Sequence, residues 1–520
     1  MLLVLASFAL RGALACAPSD DVLDERPRTL VERELDTLRS LVLRLRRTRP
    51  EVFPGGDALG ARRPLPDAAD EQDVASLLGR ELILLERTVA LLEQSERTDD
   101  VPSVMRFTTY HARQELPLDL PADASVETLA LVLRTVGRTP LVAPRLLADP
   151  RDDWSDIDAL ARAAVGEARE PAVMAERLWA FLVDERAHGP PPTETDEPHD
   201  PVKLLNVYGY GLCDDVANAY VHLARRLGLP ARVWALGGHV VPEVFFEGSW
   251  HLFDPDHEVY YRGDDGRVLG VDDLAREPSL LLSHAVRRPS RAARALDPER
   301  VTAIYASTDD NRVVDYPEPS AFHSMDLVLG PGEQVVLQTA SLGYRVTDTR
   351  FEPADQACNG EWTRTFALEQ AGTLELPCTL PWPILGGTLH VALPESTRGE
   401  PRQDVDLAAG DADRHASRLA RPTVVLRLGD VVRSLPPPAI VDGELVFDLD
   451  GVLARADGEP LYGLALLIDV PGAAAGAGGR LDLVFQHARA ALPKLRPGAN
   501  TLHWSCEQGS AEVSLLYRLR

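Results

Sequence analysis

Cys213, His239 and Asp254 follow one another in a chain of 520 residues that holds only five cysteines. Their types suit nucleophilic chemistry. A thiolate attacks a carbonyl carbon, an imidazole takes the thiol proton and returns it to the leaving group, and a carboxylate fixes the ring and stabilises its charged form. Taken singly, each has a bland reading: a cysteine in a core helix is ordinarily packing, and a lone histidine is ordinarily structural. Order and spacing are what raise the set above that background. His239 lies 26 residues after Cys213, and Asp254 lies 15 residues after His239.

These side chains need elements that bring them together. From Cys213, "CDDVANAYVHLARRLG" places Val216, Tyr220, Leu223 and Leu227 on one helical face, and Gly228 is a natural stop. Cys213 then occupies the first turn, where the positive end of the helix dipole favours a thiolate. Asp214 and Asp215 also suit a helix start, although their charge opposes the thiolate. Next, "ARVWAL", "PEVFFEG" and "WHLFDPD" read as three strands, with Gly248-Ser249 as the turn between the last two. A hairpin puts His239, at the entrance of one strand, beside Asp254, at the end of the next, and the helix start packs against both.

The pattern G-x-C on a helix, then L-G-[IL]-P-A-R, G-H-x-x-x-E-V and G-x-W-x-x-x-D-P, appears here as "GLCDDVA", "LGLPARV", "GGHVVPEV" and "GSWHLFDPD". In this it resembles the transglutaminase-like superfamily, related to papain-type thiol enzymes, over about residues 155–290. The resemblance implies Cys213 as nucleophile, His239 as base and Asp254 as orienting acid. Many members carry an aromatic two residues after the histidine. Val241 stands there, so the substrate-side walls differ. The backbone N–H of Cys213 and a second donor would hold the oxyanion; "NVYGYG" offers Asn206, Tyr208 or Tyr210 for that donor. Glu243 is a candidate second-layer partner, with a surface strand residue as the alternative, and Trp250 a candidate core residue beneath the three. His251, Asp256 and His257 carry metal-ligand types, but strand alternation scatters them over both faces. No metal or cofactor is expected.

The rest of the chain bounds the setting. The formal charge of −26 argues against a nucleic-acid partner. An apolar start ending in Ala13-Leu14-Ala15 before Cys16 reads as an export signal over residues 1–20, with Cys16 as a lipidation site and the only membrane link. The expected localisation is the cell envelope or outside the cell. Leucine and valine spacing predicts two helices within 28–95, and residues 104–150 read as a short strand-like piece with a helix from about Ser125. Helices are also expected at Ser155 as N-cap and at Pro171, and "HGPPPTETDEPHDP" as a loop. Past residue 320, short apolar runs split by Gly, Pro and Asp read as strands.

The expected architecture is a multidomain α+β chain. It comprises a mainly helical region at 25–150, a papain-like, transglutaminase-like domain at 151–300, and β-sandwich-like modules at 320–400 and 417–520. In an oxidising compartment Cys358 and Cys378 are the local choice for a disulfide. The expected activity is thiol acyl transfer on amide bonds of peptides, proteins or cell-wall peptides, hydrolysis being favoured over cross-linking. The rivals are a non-catalytic scaffold that binds or assembles partners and a glycan-directed protein.

Overall fold

The computed structural model describes residues 103–109, 111–149, 151–189, 196–288, 298–307, 311–341, 357–368, 370–392, 422–441, 444–453, 460–470 and 477–519. The export segment, Cys16 and the helices expected within 28–95 lie outside them. Among the described residues α and β structure mix, with strands dominant, and no helix is long and apolar enough to cross a membrane.

Three helices carry one side of the site. Asp156 caps the helix α1, Ile157–Val165, by accepting the Ala159 N–H, one residue beyond the expected cap at Ser155. Pro171 opens α2, Pro171–Glu185, where its missing N–H costs nothing. The helix α3, Cys213–Arg226, is more than amphipathic: every residue from Asp215 to Ala224 is buried. Such burial all round belongs to a central helix enclosed by other elements. Against it lies a four-stranded antiparallel sheet. Its strands are β1 Ala231–Leu236, β2 His239–Phe246, β3 Ser249–Leu252 and β4 Arg312–Val314, in the order β3-β2-β1-β4. Alternation divides the sheet's side chains. Val233, Val244 and Phe246 join the core that contains α3, while Trp234, Leu236, Val241 and Leu252 join a second core with Tyr261 and Tyr305.

The β-rich part holds a nine-stranded antiparallel sheet, a four-stranded one and a three-stranded one. The largest runs, in spatial order, Ser103–Thr109, Ala511–Leu519, Val126–Thr135, Glu333–Ser341, Ala357–Leu368, Ala477–Ala488, Ile384–Ala392, Glu444–Asp448 and Ala439–Val441. Two expectations are corrected here. The helix from Ser125 is instead a strand, because "VETLALVLRT" is an apolar run that suits either period, and hydrogen bonding on both sides decides for the sheet. Residues 103–148 are therefore β, not helical. The modules at 320–400 and 417–520 do not stand apart either. One sheet takes strands from both ranges and from residues 103–135, and Ser103–Arg520 forms one compact unit.

Cys358 lies in the nine-stranded sheet and Cys378 in the four-stranded Gly372–Thr379, Gly463–Val470, Thr423–Leu428, Val431–Ser434 sheet. All four described cysteines are free thiols.

Candidate functional site

The chain reaches Cys213 through a tight sequence of turns. A widened helical turn, Leu204–Tyr208, ends at Gly209 in the left-handed region, φ 73°, where a glycine carries no Cβ penalty. Tyr210–Gly211 then pairs in parallel with Ala187–His188. At Gly211 a Cβ would lie 2.8 Å from Asp215 Cβ and 2.9 Å from Leu204 Cδ1, so only glycine fits without displacement. Asp215 Oδ2 accepts the Leu212 N–H at 2.7 Å and fixes the entry to α3. Cys213 is its first residue and is partly exposed.

The hairpin supplies the imidazole and the carboxylate. Leu236 pairs with His239 across the two-residue Gly237-Gly238 turn, so the register places the ring at the strand entrance. Asp254 lies two residues past β3 and pairs back to Val259. His239 Nε2 meets Asp254 Oδ2 at 2.7 Å. Asp254 is fully buried and surrounded by donors. Its Oδ1 accepts the N–H groups of Asp256 and His257, each at 2.9 Å, and its backbone carbonyl accepts Trp179 Nε1 from α2 at 2.9 Å. Tyr305 donates its hydroxyl to Oδ2 from the helix α4, Pro298–Ala306.

Electrostatics follow from this shell. Burial pushes the Asp254 carboxyl up, but the charges of His239 and His257 and the His239 hydrogen bond outweigh it and hold the group below the usual range. For His239 burial alone would lower the pKa. The Asp254 charge and hydrogen bond, with a hydrogen bond to Cys213, reverse that and push it up to about 10. With Nε2 on Asp254, Nδ1 is the ring nitrogen left for the thiol. His239 and Asp254 thus form a buried hydrogen-bonded pair, and Cys213, at the start of α3, is near enough to raise the ring's pKa.

Residues 158–255 match the sequence model of the transglutaminase-like superfamily.

The chain carries a transglutaminase-like domain.

No curated protein matches the chain. The matched span of the transglutaminase-like domain, about a fifth of the 520 residues, closes one residue after Asp254. His257 and Tyr305, which touch the same carboxylate, lie beyond it.

Around the domain's three central side chains stands a further layer, in which the sequence marks Asp256 and His257 only by their metal-ligand types and leaves Arg186, His188 and Tyr305 unmarked. The His257 ring stacks on His239 with centroids 3.8 Å apart and planes 10° from parallel, and His257 Nδ1 lies 3.2 Å from the Tyr305 hydroxyl. Arg186, at the end of α2, is buried and bonds Asp256 Oδ1 at 3.0 Å, the Pro255 carbonyl at 3.0 Å and the Gly211 carbonyl at 3.3 Å. It braces the approach to Cys213 against the turn that follows Asp254. His188 Nδ1 adds a contact to Asp256 at 2.7 Å. Burial raises the Asp256 carboxyl, but Arg186 and His188 overcome it and hold the group well below the usual range. The "DPDH" run directly after the third strand was the available signal for Asp256 and His257. Arg186 and Tyr305 carried none.

Among the described residues two groups have ligand atoms within 4.8 Å of one another: His239 with Asp256 and His257, and His199 with Asp214 and Asp215. In the first, nearly parallel stacked rings aim their in-plane lone pairs side by side, a poor arrangement for one tetrahedral ion. His251 belongs to neither, since its Nδ1 is bonded to the Val268 carbonyl at 2.6 Å. In the second, burial chiefly pushes Asp215 up to about 6. Burial opposes protonation of His199, yet Asp214 and Asp215 raise it, and the Tyr316 ring packs edge-on against its ring at 5.1 Å.

Several expected site residues are placed elsewhere in the transglutaminase-like fold. Asn206 is buried with Nδ2 donated to the Trp154 and Val202 carbonyls at 3.0 and 2.9 Å, so its amide is committed to the backbone. Tyr208 is buried and donates to Glu197 at 2.6 Å. Neither faces the thiol as an oxyanion donor. Tyr210 is buried, with its ring against Gly189. Glu243 does not support His239. It is buried, pairs with Arg232 at 2.7 Å and accepts the Val271 N–H at 2.8 Å. Trp250 is not beneath the three residues. It is half-buried, and the Arg232 guanidinium lies 4.0 Å from its ring centre. Val241 is fully buried in the second core.

Proposed function

We propose that the transglutaminase-like domain is a thiol acyl-transfer enzyme acting on amide bonds of peptides or proteins, cell-wall peptides included. The observation that carries this is the buried 2.7 Å hydrogen bond from His239 to Asp254 beside a partly exposed Cys213 at a helix start, an environment that favours a thiolate–imidazolium pair over a thiol and a neutral ring. Cys213 transfers its proton to His239 Nδ1, giving a thiolate and an imidazolium. The sulfur attacks the amide carbonyl carbon. The Cys213 N–H, in a first turn whose N–H groups have no intrahelical acceptor, is placed to stabilise the oxyanion. His239 protonates the departing nitrogen as the C–N bond breaks, which leaves a thioester and a neutral imidazole. Water, deprotonated by His239, then releases the acid and restores the thiol. An amine in place of water would give a cross-link. Hydrolysis is the favoured branch, since water is always present.

The apolar start and Cys16 support an exported, lipid-anchored setting for this activity.

The test compares the wild-type chain with Cys213→Ala on mixed peptides and wall fragments, read by mass spectrometry. A gain of about 1 Da at Gln, release of a peptide, or joining of two peptides each names a branch. All three are expected to vanish in the variant. A Cys213→Ala protein that retains every function would leave the domain a scaffold.

A further inference from the structure

The first turn of α3 carries two acids, Asp214 and Asp215, directly after the cysteine whose thiolate a helix start favours. Asp215 has a structural task, since its Oδ2 accepts the Leu212 N–H at 2.7 Å. Its charge remains all the same, and with that of Asp214 it opposes a thiolate on the neighbouring residue. Facing both acids is His199, a buried ring. Its Nε2 lies 3.6 Å from Asp215 Oδ1 and 3.8 Å from Asp214 Oδ2, and its Nδ1 lies 4.0 Å from Asp196 Oδ1.

Carboxylates thus flank both ring nitrogens. A neutral imidazole would turn a lone pair toward one of them, whereas the imidazolium presents an N–H to each side. Burial works against that charge, but Asp214, Asp215 and Asp196 outweigh it and raise the pKa of the ring. The contact with His199 is in turn the chief cause that holds the Asp214 carboxyl below its usual range. The ring is also fixed in position. It ends the short turn Glu197–His199. Glu197 accepts the Tyr208 and Tyr462 hydroxyls at 2.6 and 2.7 Å, and Asp200, the next residue, accepts the N–H groups of Val202 and His323 at 2.8 and 2.6 Å. The Tyr316 ring closes edge-on against His199 at 5.1 Å.

We propose that His199 is a positioning residue for the nucleophile: held against Asp214 and Asp215 at the first turn of α3, it supplies the positive charge that offsets these two acids and spares the Cys213 thiolate their repulsion. This rests on the thiol-enzyme reading for its purpose. The titratable groups that face the ring are Asp196 from its own turn, Asp214 and Asp215 from α3, and Tyr316 from the segment after β4. His222, further along α3, is pushed down chiefly by burial and adds no second cation at pH 7. Arg186 also acts on Asp215, but its guanidinium is committed to Asp256 at 3.0 Å. His199 is therefore the cation in contact with both acids.

The test is the rate at which iodoacetamide alkylates Cys213 in the full chain, followed on its own peptide by mass spectrometry across the pH range, in buffer containing a metal chelator. Wild type is compared with His199→Gln, Asp214→Asn and the double variant. His199→Gln keeps a polar side chain and removes the charge. It is expected to slow alkylation about three- to tenfold at pH 6–7, with the gap narrowing as the pH rises and the wild-type ring loses its proton. Asp214→Asn alone should speed alkylation about threefold, and in the double variant it should bring the rate back to within about twofold of wild type. A His199→Gln protein that alkylates within about twofold of wild type at pH 6–7 would overturn the proposal. So would a double variant as slow as His199→Gln, because the ring would then act by packing. If His199→Gln does not fold, Asp214→Asn alone decides, and an unchanged or slower rate there overturns the proposal. Failure of the thiol-enzyme reading has a different signature: amide turnover that survives in Cys213→Ala while the alkylation rates follow the expected order.

Discussion

Asp254→Asn is the most informative single change, because every atom of the carboxylate has an identified partner. Oδ1 accepts the N–H groups of Asp256 and His257, while Oδ2 accepts from His239 and Tyr305. An asparagine keeps the volume. Its oxygen stays on the two backbone donors, which places the new NH₂ against two further donors. The contact with His239 then survives only if the ring turns Nε2 into an acceptor and moves its proton to Nδ1, where it faces the thiol. The imidazole can no longer take the Cys213 proton, and the charge that holds the ring cationic is gone. Breaking a buried charged pair costs about 3–5 kcal/mol, which corresponds to roughly 10²–10⁴ in rate if it is lost from the transition state. Once a substrate is known, kcat/KM should fall by that range with the fold intact. No substrate is needed for the first assay. Alkylation of Cys213 by iodoacetamide, followed on its own peptide by mass spectrometry, should slow at least about tenfold at pH 6–7. An Asp254→Asn protein that alkylates at the wild-type rate across that range would refute the coupling of the three residues.

Other consequences are equally direct. The His239 pKa is pushed up from 6.5 to about 10 in the folded chain, so its linked stability is fully present below pH 6.5 and is lost as the pH rises through about 10. Thermal unfolding midpoints should fall over that window and lose part of this dependence in His239→Gln. Gly211→Ala puts a methyl 2.8 Å from Asp215 Cβ and should displace the start of α3, slowing Cys213 alkylation about tenfold or more. Glu243→Gln leaves the Arg232 pair short of a charge and should lower the unfolding midpoint, yet it should leave the alkylation rate within about twofold. A large kinetic effect there would return Glu243 to the site.

What the sequence made legible is local. Cys213 at a helix start, Gly228 after its end, and the strands beginning near Ala231 and His239 follow from periodicity and turn chemistry over a few residues. Even there the last turn moved: Glu247 and Gly248, both at positive φ, make it, and Ser249 already belongs to β3. What was not legible depends on direction or on distant pairing. Asn206 and Tyr208 have the polarity of oxyanion donors, but nothing in "NVYGYG" says that the amide turns back to Trp154 and Val202 or that the phenol turns to Glu197. Val126–Thr135 has no period that separates strand from helix, and its partners come from residues 334–338 and 511–519. Tyr305 is the plainest case. It reaches Asp254 across 51 residues from a helix with no motif of its own.

The division into a catalytic domain and accessory β-modules also needs revising on energetic grounds. The segment leading to Cys213 is held from the β-rich side. Gln486 of the nine-stranded sheet donates to the Val207 carbonyl at 3.3 Å, and Tyr462, just before the Gly463–Val470 strand, donates to Glu197 at 2.7 Å, the same oxygen that receives Tyr208. Lys203 completes the group by pairing with Glu197 and lying over the Tyr462 ring at 4.6 Å. Beneath these contacts Leu178, Tyr220 and Leu223 of the helices share one continuous apolar core with Trp362, Leu481 and Phe485 of the sheet. Cutting the chain after the transglutaminase-like residues would expose that shared core and leave Glu197 with fewer partners. Buried apolar surface is worth about 25 cal/mol per Å², so exposing even a few hundred Å² of such a face removes several kcal/mol from a stability of about 5–15 kcal/mol. The turn that positions Cys213 is therefore braced from outside the matched domain, and the two large β-sheets are part of what holds it in place.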